Sequence, residues 1–184
     1  RIVDMLVFEW DESRFITRGK YTDQFNNVRK RAMLWQIAYH CSITKGQATL
    51  RRDDLNQLSE HLAPSYSISA AAFLELIEQL EAHTGILIQS GADSYEFAHK
   101  TLQEYLASEH LVSLGYFPEE IPDERLIAPE LAMACAQAGD RDSYLHKVIS
   151  NWLLGTPQPS TIASSMLSKL VAEEARFNGA GVGL

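Results

Sequence analysis

The stretch "SYEFAHKTLQEYLAS", residues 94–108, decides the fold. Alternation over 95–97 reads as a strand, expected at the edge of a sheet, and a helix-forming run follows at once over about 99–114. His99 stands at the junction. Just upstream, "GILIQS" (85–90) reads as a second strand, and "SGAD" (90–93) joins the two as a hairpin. Further back, "SISAAAFLELIEQLEAH" (67–83) predicts a helix capped by Ser69, with Phe73, Ile77 and Leu80 as its apolar stripe. "RRDDLNQLSEHLA" (51–63) predicts another, stopped before Pro64. "NVRKRAMLWQIAYHCS" (27–42) predicts a third, with Met33, Leu34, Ile37 and Cys41 on one face. Gly46 then turns the chain, and "ATL" (48–50) reads as a short strand.

The order over 28–114 is therefore helix, short strand, helix, helix, hairpin, helix. That order describes a winged helix. The expected fold class is mainly α, a winged helix with a three-helix core plus a two-stranded wing, flanked by helical segments. Residues 1–27 read as the end of a helical domain and a linker, 28–117 as the winged-helix domain, and 118–184 as a C-terminal helical extension. In the first of these, Ile2, Met5, Leu6 and Trp10 recur near helical spacing. Six of the 16 basic residues fall between Arg14 and Arg31. A solvated loop explains them, with an anion-facing patch as the alternative. After Pro118 three helical patterns appear: Ile127, Leu131, Cys135 and Ala138; then Leu145, Val148, Ile149 and Trp152; then Ile162, Met166, Leu167 and Leu170. Two or three such units do not make a repeat array. Trp10, Trp35 and Trp152 are expected as core or interface anchors.

The chain has 184 residues, 46% of them hydrophobic and 22% charged, which are globular values. Its net charge of -8 repels nucleic acid and anionic membranes as a whole. The two cysteines, Cys41 and Cys135, lie in apolar helical contexts and are expected reduced and buried, in a cytoplasmic setting. The longest uncharged run, 148–168, is broken by Pro157 and Pro159 and is no membrane span. The opening at Arg1, in mid-helix pattern, reads as a piece of a larger protein.

No Walker A, G-x-S-x-G or H-E-x-x-H pattern occurs. The six histidines and two cysteines show no metal-ligand spacing. The adjacent pairs Asp53-Asp54 and Glu119-Glu120 read as solvated faces. No catalytic residue and no metal ligand is expected, and this piece is not read as an enzyme. A winged helix invites a DNA-binding reading, with the 67–83 helix entering the major groove. Yet from Ser65 to Thr84 there is no lysine or arginine, and Glu75, Glu78 and Glu81 lie there. Phosphate contacts need cations, so this helix argues against nucleic acid.

"YEFAHKTLQEYLAS" resembles the F-x-H-x-(T/S)-(F/L)-Q-E-Y/F-L-A-A segment of NACHT-type STAND nucleotide switches, the class of NOD-like receptors and many bacterial defence proteins. In the same order, "LVFEWDESR" resembles the ending of the helical domain before the winged helix. "RKRAMLWQIAYHCS" resembles the first winged-helix helix, and "LEAHTGILIQSGADSYEF" the helix running into the wing. The likeness covers about residues 2–114. It departs from the usual form at Leu102, where phenylalanine is common, and at Ser108, where alanine is common. The P-loop and the magnesium-binding acidic strand of the switch are not in this sequence.

The resemblance implies that His99 meets the β-phosphate of ADP and helps hold a closed, inactive state. An imidazole at a helix start can donate a hydrogen bond to an anion, and the helix terminus adds favourable partial charge. From spacing alone, His99 could equally cap the helix or bond a backbone carbonyl. The remainder of the motif reads as packing. Phe97, Leu102, Tyr105 and Leu106 are expected to pin the helix on the winged-helix core. Of Gln103 and Glu104, one is expected to face inward and bond backbone.

The function expected from this resemblance is a regulatory module that couples the ADP/ATP state of a P-loop module to opening and oligomerisation in signalling or defence. The fragment alone binds no cofactor on this reading; ADP or ATP with Mg belongs to the full-length parent. Its partners are its own NTPase module and, on activation, other copies of itself, with no nucleic acid and no membrane. The alternatives are a protein-interaction module acting through its C-terminal helices and a winged-helix DNA-binding regulator.

Overall fold

Seven α-helices and three short strands make up the described part of the chain, residues 27–115, 128–151, 153–155 and 159–172 of a computed structural model. The expectations for Trp10, Ile127, Trp152, Glu119-Glu120 and the segment before Asn27 fall outside it. Helix α1 covers Asn27–Tyr39 and runs on as a π-helical stretch, His40–Lys45, closed by Gly46 at φ 63. That left-handed conformation suits glycine, which has no Cβ to clash. Strand β1 is Thr49–Arg51, α2 is Arg52–Leu62, and a short 3-10 turn, Ala63–Tyr66, follows. Helix α3 is Ala70–Thr84, and β2 and β3 are Leu87–Gly91 and Ser94–Phe97. Helix α4 is Lys100–Leu114, α5 Ala128–Gln137, α6 Arg141–Asn151 and α7 Pro159–Ala172.

The cap expected at Ser69 forms. Ser69 Oγ accepts the amide of Ala72 at 3.1 Å, satisfying one of the donors a helix start leaves open. At α2, Asp54 folds back to accept the Arg51 amide at 3.2 Å, so this member of the acidic pair does structural work while Asp53 is exposed.

The chain divides into two compact units. One holds 27–37 and 47–102 of the described residues and is the winged helix. Helices α1, α2 and α3 supply its core through Met33, Leu34, Ile37, Leu55, Leu58, Phe73, Leu76 and Ile77, all buried. The wing is broader than the expected hairpin. Its sheet has the order β1-β3-β2, all antiparallel, with Leu50 opposite Tyr95 and Ile88 opposite Glu96. So β3 is the central strand, not an edge strand. Pairing on both sides satisfies its backbone, while Tyr95 and Phe97 point to the buried face and Ser94 and Glu96 away from it.

The second unit holds 38–46 and, from Gln103 onward, α4 to α7. Its apolar cluster joins Ile43, Leu111, Leu131, Cys135, Val148, Ile162, Met166 and Leu170. Helix α5 packs against both α6 and α7. Ile162, Met166 and Leu170 recur every fourth residue and turn inward, whereas Leu167 lies off that line and is 60% exposed. The π-helical turn brings three successive residues, Cys41, Ser42 and Ile43, into buried positions. Neither cysteine is in a disulfide, and both are buried. No described helix is long and apolar enough to cross a membrane.

Candidate functional site

His99 is exposed, one residue before α4 begins and two after β3 ends. Its position follows from the two flanking elements. The alternating strand anchors Tyr95 and Phe97 below it, and the helix starts immediately above. The His99 carbonyl accepts the amide of Leu102 at 3.0 Å, which fixes the backbone as that of a helix N-cap. The ring itself makes no hydrogen bond or ion pair to any described residue. It is therefore not spent on capping or on a backbone carbonyl. Lys100 and Thr101 are exposed beside it. The Leu102 amide is taken by the His99 carbonyl, and the first amides of a helix before it have no intrahelical partner. Together these groups form a small donor set facing solvent: one imidazole and the positive end of a four-turn helix. They suit contact with a single phosphate group. They are too few to cradle a nucleotide.

The helix that His99 precedes is anchored by polar side chains as much as by apolar ones. Gln103 and Glu104 are both buried, where one was expected to be. Gln103 Nε2 donates to Ser42 Oγ in the π-helical turn at 2.9 Å, and Glu104 faces Lys169 of α7 at 3.8 Å. One turn later Ser108, fully buried, accepts from Gln137 Nε2 of α5 at 2.8 Å and donates to the Tyr105 carbonyl at 2.6 Å. So the serine found where the resembled motif carries alanine has a partner built for it. Three buried polar residues of α4 thus reach three different elements of the second unit. Leu102 is half-buried and falls in the winged-helix unit, whereas Tyr105, half-buried, and Leu106, buried, fall in the second unit. The signal for these contacts was present only as polar residues at helical spacing; their partners lie 29 to 65 residues away in sequence.

The other expected features are modest. Trp35 is half-buried, with the Arg31 guanidinium 5.1 Å from its ring centroid, a cation–π contact. Arg29 donates to the Tyr66 carbonyl, 37 residues on, and lies over its ring, so two of the basic residues before α1's apolar stripe are engaged within the winged-helix unit. Among the described residues no group of three His, Cys, Asp or Glu side chains could hold a metal ion. Helix α3, the one a DNA-binding winged helix would insert, presents Glu75 and Glu78 to solvent and carries no lysine or arginine.

The family model described as a winged helix-turn-helix domain C-terminal to NACHT matches residues 1–111, a stretch that takes in the whole helix–strand–helix–helix–wing order and most of α4. No curated protein and no solved structure gives a match. With the fold, the three-stranded wing and the matched span in agreement, the chain belongs to the family of winged helix-turn-helix domains that lie C-terminal to NACHT.

Proposed function

We propose that this non-catalytic module is the regulatory lever of a NACHT-type nucleotide switch, with His99 contacting the β-phosphate of ADP held by the P-loop module of the full-length parent. The observation that carries the reading is an exposed imidazole with no competing partner among the described residues, at the start of α4, inside the family match. The donor set fits one phosphate oxygen, so nucleotide and Mg would be gripped mainly by the P-loop module. His99 would supply one charge-assisted hydrogen bond, and the phosphate would favour the protonated ring. Such a bond is worth about 1.5–3 kcal/mol, or roughly 10- to 100-fold in affinity. That is enough to bias a two-state arrangement toward the closed form. Loss of the bond on nucleotide exchange would release the module for opening and self-association, in cytoplasmic signalling or defence.

The test is His99→Ala in the full-length parent. ADP should be retained roughly 10- to 100-fold less tightly, and basal signalling should rise. Unchanged ADP retention overturns the assignment.

A second reading is favoured by the outer side of α7, where Leu167 and Val171 are 60% and 77% exposed one turn apart. On that reading the C-terminal helices bind a partner protein. Capture of a partner that is lost on truncation at Pro118, with ADP retention unaffected by His99→Ala, would favour it.

A further inference from the structure

The second unit carries a cavity of about 210 Å³. Its lining includes Val112 near the end of α4, Ala138 and Gly139 just past α5, and Ser143, Tyr144 and Lys147 of α6. An apolar cavity of about 150 Å³ already takes a benzene ring, so this one has room for a ring and one small polar group. Val112, Ala138 and the Tyr144 ring give it an apolar wall. A Cβ added at Gly139 would meet nothing within 4 Å, and Gly139 is not in the left-handed region. Neither packing nor backbone demands glycine there, and the missing side chain leaves the space unfilled. Two polar groups of the lining are unspent. Lys147 makes no ion pair or hydrogen bond to any described residue. The hydroxyl oxygen of Tyr144 is buried and has no hydrogen-bond partner. A buried tyrosine hydroxyl normally finds one, so the exception calls for a reason. Tyr144 and Lys147 are three residues apart and share a face of α6. The carboxylate of the lining, Asp140, already accepts the Ser143 amide at 3.1 Å as the cap of α6. The free groups are thus an ammonium and a phenol, both of which donate.

We propose that this cavity binds a small carboxylic acid with a compact aromatic or branched body, its carboxylate on the Lys147 ammonium and the Tyr144 hydroxyl, its body against Val112 and Ala138. The Tyr144 ring lines the cavity, and its hydroxyl gives up no hydrogen bond when the ring turns outward to a bound oxygen. Binding therefore supplies an acceptor to a donor that has none. A neutral ligand of the same shape loses the ion pair, and a cationic one meets Lys147 as a like charge. Inorganic phosphate lacks the body that the apolar wall would cover. Lys147 is exposed, so its ion pair contributes modestly. This site lies wholly within the second unit and does not depend on the nucleotide reading at His99.

The experiment titrates the 15N-labelled 184-residue chain with benzoate and follows backbone amide shifts by NMR. Saturable shifts at Val112, Ala138, Gly139, Ser143 and Lys147 are expected, with a dissociation constant of about 1 mM. Benzamide, of the same shape without the charge, should bind more weakly, and benzamidinium more weakly still. Lys147→Gln should lose about fivefold in affinity. Tyr144→Phe should lose a similar factor of about fivefold. Its melting temperature should stay the same or rise, because the variant deletes an unpaired buried hydroxyl. Gly139→Leu fills the cavity and should abolish the saturable shifts without unfolding the chain. Arg52→Gln removes an exposed cation from the winged-helix unit and should leave binding unchanged. Circular dichroism melts establish that each variant folds. Benzamide or benzamidinium bound as tightly as benzoate, no loss of binding in any of the three cavity variants, or no saturable benzoate shifts in the unaltered chain overturns the proposal.

Discussion

Gln137 of α5 donates its side-chain amide to the hydroxyl of Ser108 on α4, 2.8 Å away, and Ser108 has no exposed surface at all. The pair ties two helices of the second unit through a partly buried bond. Ser108→Ala deletes the acceptor and a small volume while leaving the Gln137 amide without this partner. It should destabilise the chain by about 1–2 kcal/mol. Gln137→Leu in the Ser108→Ala background should recover part of that cost, because both polar groups are then gone. Urea titrations of the two single variants and the double variant give the coupling energy directly. Simple additivity would show that the bond contributes nothing.

Stability should depend on pH through His110. This half-buried ring meets Tyr39 edge-on, with centroids 4.9 Å apart. Burial holds its pKa below the ordinary 6.5. The folded chain therefore keeps the ring neutral while the unfolded chain takes up a proton below pH 6.5. Where the unfolded state binds more protons, stability rises with pH. The contribution is thus fully present above the unfolded value and is lost as pH falls below it toward the folded one. Urea midpoints measured downward from pH 7 should fall, and His110→Gln should flatten this part of the profile. An identical slope in the variant would place the dependence on other groups.

The cysteines should be chemically silent in the folded chain. Burial pushes the Cys135 thiol up to about 12, against a smaller opposing effect of a backbone hydrogen bond, and Cys41 is fully buried. The thiolate is the reactive form, so neither residue presents one at the surface near neutral pH. Iodoacetamide at pH 8 should label neither cysteine in native buffer and both in denaturant, read by mass spectrometry. Rapid labelling of Cys135 without denaturant would mean that α5 opens locally.

How much was legible beforehand depended on the range of the interaction concerned. Ser69 as a cap and the stripe of Phe73, Ile77 and Leu80 were readable because capping and helical periodicity act within a few residues. The hairpin and the His99 junction were readable for the same reason. Leu167 fits the helical pattern of α7 by being apolar. Only packing showed that Ile162, Met166 and Leu170 fill that side, leaving Leu167 outside.

The amino-acid order alone determined the sequence of elements, the winged-helix class and the absence of cations on α3. Each of these is carried by local periodicity or by residue type. The tertiary structure decided that β3 lies between β1 and β2, since strand order depends on which distant backbone groups meet. It also decided that Gln103, Glu104 and Ser108 are buried toward Ser42, Lys169 and Gln137. A polar side chain carries no mark of its partner in its own sequence neighbourhood. Only the folded chain brings the two groups of each pair together.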